Sequence, residues 1–430
     1  MLLVLLVSLF AMFAIGVPIF MALGIASAAA LLTSDILPLA VMHTALFEGL
    51  NIFPLLAIPC FIVAGSLMES GNVTQEIIDV VKIAIGRLYG GIGLTTLMAC
   101  ALFAAITGSG ASTVAAVGAI LVPAMLRNGY SREYAGCVSS TGGTLGILIP
   151  PSNPMIVYAI ICNISITGMF TAGFIPGLMM VCALGGMAYF QARRRGFKGD
   201  ADQAPFAVMD LLGAVKRGFF SLATIVVVLG SIYSGLATPV EASIVAVLWA
   251  LFVGGVINRA LKIDHIRQAL REGAMICGAI LIIVGTSALF GRVLTYEEVP
   301  ARIANAVVAF TTNKYLVLLM ICGVLYILGM FMESLSMVIL ITPVILPVMI
   351  KLGIHPIHFG ILLIISTEVG LLTPPLGVNL FLASKIAGTS VEKLSVAVLP
   401  YIATMTVVLL IILFFPGLTT WLPNTPGFGQ

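Results

Sequence analysis

The chain has 430 residues, 60% of them hydrophobic and 9% charged, with mean hydropathy +1.19 and formal net charge +3. Soluble domains carry about 25% charged residues, so a soluble fold is excluded and a polytopic helical membrane protein is expected. Continuous apolar runs exclude a β-barrel, and without a P-loop the chain has no ATP-driven chemistry of its own.

In chain order, residues 2–31 read as apolar helix interrupted at Gly16-Val17-Pro18, with no basic start or cleavage site to mark a removed signal. Residues 33–50 read as a connector carrying Asp35 and Glu48, and 53–68 as a span. Residues 73–88 are amphipathic, with Gln75, Glu76, Asp79, Lys82 and Arg87, and predict an interfacial helix. A hairpin over 90–128 turns at GSGAST, residues 108–113. The apolar segment 132–164 is broken by Gly142, Gly143, Gly146, Pro150, Pro151 and Pro154, and a span over 170–191 leads into the polar linker 193–203. In the second half, spans are predicted at 219–235, 240–256 and 273–292, with a basic stretch at 258–272. An amphipathic helix at 297–312, a hairpin at 315–351, a broken helix at 356–388 and a last span at 394–421 follow.

The two halves repeat at an offset of 224 residues. Pro123 falls on Pro347, Gly129 on Gly353, Gly136 on Gly360, Gly146 on Gly370, Pro150-Pro151 on Pro374-Pro375 and Pro176 on Pro400. Matched Gly and Pro mark matched backbone. Arg193, Arg194, Arg195, Lys198, Lys216 and Arg217 place the central linker in the cytoplasm by the positive-inside rule. The basic 258–272 agrees, whereas its counterpart 33–50 has no Lys or Arg, so the copies are inverted and the C-terminus is expected in the periplasm. The expected fold is all-α, with inverted repeats at 1–206 and 207–430 containing re-entrant hairpins and broken helices.

Non-helical backbone at membrane depth is tolerated only where it is buried in protein or lines a wet cavity. Half-helix ends there offer carbonyls to a small cation and N–H groups to a carboxylate. The sodium candidates are Ser109, Ser112, Thr113, Gly142, Gly146, Ser152 and Asn153 in the first copy, with Gly329, Ser334, Ser336, Gly370 and Thr373 in the second. The substrate candidates are Thr141, Thr144, Glu333, Thr367 and Asn379. Ser366 and Glu368 lie beside the second set. Glu241 reads as a helix cap after Thr238-Pro239, Lys385 as snorkelling, Arg292 as the end of its span, His355 and His358 as surface residues, and Trp249 and Trp421 as interface anchors. The seven cysteines lack metal spacing and read as buried small hydrophobes, so no transition metal is expected.

GSGAST at 108–113, STGGTLGILIPPSNPMIVY at 140–158, ATPVEAS at 237–243 and GLLTPPLGVNLF at 370–381 resemble the large membrane subunit of tripartite ATP-independent periplasmic (TRAP) transporters. The resemblance implies an elevator-type fold and Na⁺-driven uptake of an organic acid, of the sialic acid or C4-dicarboxylate class, across a bacterial inner membrane. It implies two partners, a small four-helix membrane subunit and a periplasmic substrate-binding protein, and no organic cofactor. On that analogy 90–164 and 315–388 form the mobile transport part, and 73–88 and 297–312 the connecting arms. A stand-alone carrier of related fold, an intramembrane enzyme and a channel are the other readings. The enzyme is disfavoured because the six aspartates (35, 79, 200, 202, 210 and 264) fall outside the spans.

Overall fold

A computed structural model describes residues 1–33, 38, 40–199, 208–374 and 377–425. Asp35, Asp200, Asp202, Pro375 and the repeat boundary expected at 206/207 lie outside the described residues. Within them, every regular element is helical. The first half runs α1 (Leu2–Ala14), α2 (Ile19–Leu32), α3 (Ala40–Leu50), α4 (Ala57–Ser70), α5 (Val73–Ile85), α6 (Gly91–Thr107), α7 (Gly110–Arg127), α8 (Arg132–Leu148), α9 (Asn153–Cys162) and α10 (Ile166–Arg195). The second runs α11 (Val208–Arg217), α12 (Phe219–Tyr233), α13 (Pro239–Leu251), α14 (Ile263–Tyr296), α15 (Val299–Phe310), α16 (Lys314–Gly329), α17 (Ser334–Lys351), α18 (Pro356–Leu371), α19 (Val378–Ala387), α20 (Val391–Phe414) and the short turn α21 (Gly417–Thr420). Eight helical stretches among the described residues are long and apolar enough to cross a membrane. Their outward faces carry Phe174, Leu178, Leu248, Met275 and Val396, an apolar exterior that suits lipid and not water.

The repeat is visible in the element boundaries. Ser109 is the N-cap of α7 and Glu333 the N-cap of α17, 224 residues apart. The two copies interlock: α9 of the first packs on α17 of the second, and α19 of the second packs on α7 of the first. Hairpin α6–α7 turns through Gly108, whose φ of +58° and whose proximity to the Pro151 carbonyl leave no room for a Cβ. Its counterpart α16–α17 turns through residues 330–333. One hydrophobic core runs through hairpins, broken helices and α4; a second cluster joins Leu5, Leu9, Leu23 and Leu31 of α1–α2 to Leu289 and Val293 of α14. The amphipathic α5 buries Ile77, Ile78 and Val81 and packs on α6, α11 and α12, while α15 packs on α17.

Four expectations are corrected. The connector 33–50 contains a helix, α3, because Val41, Ala45 and Gly49 recur every four residues and form a face against α14. There Gly49 lies so close that a Cβ would sit 2.4 Å from Ala288. The basic stretch 258–272 and the span 273–292 are largely one 34-residue helix, α14, with Arg267 and Arg271 four apart on its exposed side. The break in the first copy is narrower than 142–153: α8 continues through Gly142, Gly143 and Gly146 to Leu148, and only residues 149–152 leave the helix. His358 is buried, its Nδ1 2.9 Å from Thr419 Oγ1, because the α18 N-terminus is covered by α21. His355 instead caps α18 by accepting from the Ile357 amide.

Candidate functional site

A cleft of about 250 Å³ lies where both hairpin tips and both breaks converge. One side is made by residues 108–112 of the first tip, Asn153 and Pro154 beyond the first break, Glu333 and Leu335 of the second tip, and Val378 and Asn379 beyond the second break. The facing wall is Ile62, Ser66 and Glu69 of α4 with Glu272, Ile276 and Ile280 of α14.

The first half-site is built on close backbone approach. A Cβ on Gly146 would meet Ser109 O at 2.8 Å and Thr113 Oγ1 at 2.9 Å, so a bare position on α8 lets the start of α7 settle against it. Thr113 Oγ1 donates to Ser109 O at 2.7 Å and lies 3.3 Å from Thr107 Oγ1, while Ser112 Oγ reaches Ser109 Oγ at 3.3 Å. Ser152 precedes α9 in extended conformation and is fully buried. Its Oγ and the Oδ1 of Asn153 have no hydrogen-bond partner among the described residues. Buried polar atoms are nearly always paired, so Ser152 and Asn153 are the residues of this half-site free to bond to a further group.

The second half-site repeats the device with different residues. Gly329 and Gly370 meet backbone to backbone, and a Cβ on Gly370 would lie 2.6 Å from Gly329 Cα. Ser334 Oγ donates to Glu368 Oε1 at 2.6 Å, and the buried Glu368 Oε2 has no hydrogen-bond partner among the described residues. Ser336 is buried on the first turn of α17, and Thr373 donates to Val369 O at 2.7 Å as α18 ends. Asn379 crosses between repeats: its Nδ2 would lie 3.4 Å from a Cβ on Gly110, it is 2% exposed, and that donor has no partner among the described residues.

Of the candidates, Ser109, Ser112, Asn153, Glu333 and Asn379 line the cleft; the others do not. Thr141 Oγ1 donates to Cys137 O and Thr144 Oγ1 to Thr141 O, both at 2.7 Å, and Thr144 faces Met405 Sδ on α20. Gly142 abuts Cys100 on α6, and Thr367 Oγ1 donates to Ile364 O at 2.8 Å. These four sit inside continuous helix, where their groups serve helix packing, because α8 and α18 run on past them. Ser66, Glu69 and Glu272 were missed: each lies near the end of a predicted span, and nothing in their spacing separates a cleft wall from a helix end. Glu241 completes a capping box with Thr238, its Oε2 2.7 Å from the Thr238 amide. Arg292 pairs with Glu48 at 2.7 Å, Lys385 lies over the Phe381 ring, and Trp249 donates to Thr224 Oγ1 at 3.0 Å inside the fold. The cysteines are free, and Cys182 alone among them is exposed, on the apolar exterior.

Comparison with known proteins places this geometry. The family model described as "Tripartite ATP-independent periplasmic transporter, DctM component" matches residues 6–418. The isethionate TRAP transporter permease protein DctMQ of Oleidesulfovibrio alaskensis is 38% identical over 420 residues, covering 97% of this chain and 65% of that protein. The chain thus spans just under two thirds of that relative's length. The C4-dicarboxylate TRAP transporter large permease protein DctM of Pseudomonas aeruginosa is 35% identical over 382 residues, 89% of each chain. The sialic acid TRAP transporter large permease protein SiaM of Vibrio cholerae is 33% identical over 384 residues, again 89% of each. Among solved structures, the YdaH transporter of Alcanivorax borkumensis is similar with a TM-score of 0.63 over 87% of this chain and 88% of its own, at 16% identity, a likeness of fold.

Proposed function

This chain belongs to the DctM component family of tripartite ATP-independent periplasmic transporters, and from that premise we propose that it is a Na⁺-coupled subunit importing an organic acid by an elevator movement. The observation that carries the reading is the cleft between the two inverted tips, with buried polar atoms on its rim that lack partners. Acceptors without donors, Asn153 Oδ1 and Ser152 Oγ, suit a small hard cation together with Ser109, Ser112, Thr113 and the backbone beside Gly146. The donor without an acceptor, Asn379 Nδ2, suits a carboxylate oxygen. In the second half-site the backbone at Gly329 and Gly370, with Ser334, Ser336 and Thr373, is the corresponding cation candidate. Na⁺ is cargo in this scheme and not a resident metal.

The moving body comprises residues 90–164 and 315–388, which share the hairpins and broken helices, and α5 and α15 act as the arms tying it to the remainder. The basic linker faces the cytoplasm of a bacterial inner membrane and the C-terminus the periplasm. The cargo is an organic anion, of the C4-dicarboxylate or sialic acid class; the isethionate relative widens the class to be tested. A small four-helix membrane subunit and a periplasmic binding protein are the partners.

The test is uptake into proteoliposomes of the full complex, using succinate, N-acetylneuraminate and isethionate in turn, with inward Na⁺ or K⁺ gradients and with or without binding protein. Uptake of one of them that requires both Na⁺ and the binding protein supports the reading. Uptake that is independent of Na⁺ refutes the coupling, and equal uptake without binding protein favours a stand-alone carrier.

A further inference from the structure

The cleft that is to receive an anion carries no basic side chain. Its charged lining is Glu69, Glu272 and Glu333, with neither Lys, Arg nor His among the described lining residues. Two of the three carboxylates belong to the wall opposite the hairpins. Ser66 and Glu69 stand one turn apart on α4 and face the same way. Ser66 Oγ donates to Glu272 Oε2 at 3.1 Å, and Gln268 Nε2, one turn earlier on α14, donates to Glu272 Oε1 at 2.8 Å. The helices come this close because Gly273 presses on Val63, where a Cβ would lie 2.4 Å from Val63 Cγ2. The Glu272 carboxylate is therefore held beside Glu69 by two neutral donors. Glu69 and Glu272 have no basic partner among the described residues. On the other side of the same cleft, Asn379 Nδ2 is an orphan donor and calls for a negatively charged oxygen. Glu272 also lines an adjoining cavity with Arg267 and Arg271, so the negative wall gives way to positive charge one step further along α14.

We propose that Glu69 and Glu272 form an anion-expelling wall: they lower the affinity of this conformation for the organic anion and speed its departure past α14. The proposal rests on the transport reading above and adds to it the residues that make one conformation bind weakly. A ligand shifts a conformational equilibrium only through its differential affinity for the two states. When the hairpins carry the anion away from this wall, the repulsion is relieved, so the wall is a means of making the two states unequal. Cations in the cleft offset the repulsion, which couples anion affinity to cation concentration through the same two carboxylates. Unit charges about 8 Å apart, at an effective dielectric between that of a protein surface and water, change affinity by roughly tenfold each.

The experiment measures anion binding to the purified complex in nanodiscs, at fixed Na⁺ and at low and high ionic strength, with whichever of succinate, N-acetylneuraminate or isethionate the wild type transports. Glu69→Gln and Glu272→Gln are each expected to tighten Kd about tenfold, with the double variant tighter still. The gain should shrink in about 0.5 M salt, where charges are screened within a few Å. Net uptake by the double variant should turn over more slowly, because release becomes limiting. Glu69→Asp and Glu272→Asp, which keep the charge, should bind like wild type. Unchanged or weakened Kd in the Gln variants, alongside normal Na⁺-stimulated uptake by the wild type, overturns the wall. Na⁺-independent uptake by the wild type instead overturns the transport reading and leaves the Kd comparison to decide the wall.

Discussion

Replacing Gly370 by Ala tests the second half-site with a single methyl group. The added Cβ would lie 2.6 Å from Gly329 Cα, 2.9 Å from Gly329 C and 3.0 Å from Tyr326 O, all of them backbone or backbone-attached atoms that cannot rotate aside. To reach ordinary contact near 3.5–4 Å, α16 and α18 must separate by about 1 Å. Overpacking of this kind costs roughly 1–3 kcal/mol, which a protein whose core extends through both repeats should survive. The cation candidates Ser334 and Ser336 follow Gly329 around the hairpin and move with it. A shift of about 1 Å is large against the few tenths that metal–oxygen distances tolerate, so the apparent Na⁺ affinity should fall at least tenfold while the protein still folds. Gly323→Ala is the control: it lies on the same α16 with nothing within 4 Å of the new Cβ. Uptake in proteoliposomes is measured against Na⁺ concentration, beside thermal denaturation of each purified variant. If Gly370→Ala matches Gly323→Ala in Na⁺ dependence, the backbone contact at the tip has nothing to do with cation binding and the argument is wrong.

Other outcomes follow from particular contacts. Ser112→Ala and Ser336→Ala should each raise the Na⁺ concentration needed for half-maximal uptake severalfold with little change in melting temperature; Na⁺ curves superimposable on wild type would remove both hydroxyls from the site. Glu241→Ala removes one half of the capping box with Thr238 and should lower Tm with the Na⁺ dependence unaltered; an unchanged Tm contradicts the cap. Arg132 donates to Ala387 O at 3.2 Å and Gly388 O at 3.0 Å, closing the last turn of α19 from the other repeat. Arg132→Ala should cost about 1–2 kcal/mol through those freed carbonyls and reduce uptake more than Arg132→Lys does; equal uptake by the two variants would exclude that bracing role.

How much of this was readable beforehand depends on the kind of signal. The hairpins and the repeat were legible because Gly and Pro act locally: Gly108 and Pro150 mark chain turns whatever surrounds them. Ser109 and Ser112 could be placed at a hairpin tip from GSGAST alone, and both line the cleft. Thr141 and Thr144 misled, since a Thr beside glycines inside a helix reads like one at a helix end, and only the observed extent of α8 shows their hydroxyls bonded to their own backbone. α3 was hidden by the short apolar period between Pro38 and Asn51. The wall of Ser66, Glu69 and Glu272 was not legible at all, because it arises from the crossing of α4 and α14, helices 206 residues apart in the Ser66–Glu272 contact. Such a contact leaves no mark within either segment.

The exchange of supports between copies, α9 against α17 and α19 against α7, has a consequence for how such a molecule is made. Neither half is a finished object, because the tip of each leans on a helix only its twin supplies. A chain with a single copy would need a second molecule inserted in the opposite sense to close such a pocket. Joining them in one polypeptide removes that lottery, and it ties pocket formation to late synthesis: until α17 and α19 have emerged from the ribosome, the earlier hairpin waits unbuttressed in the lipid.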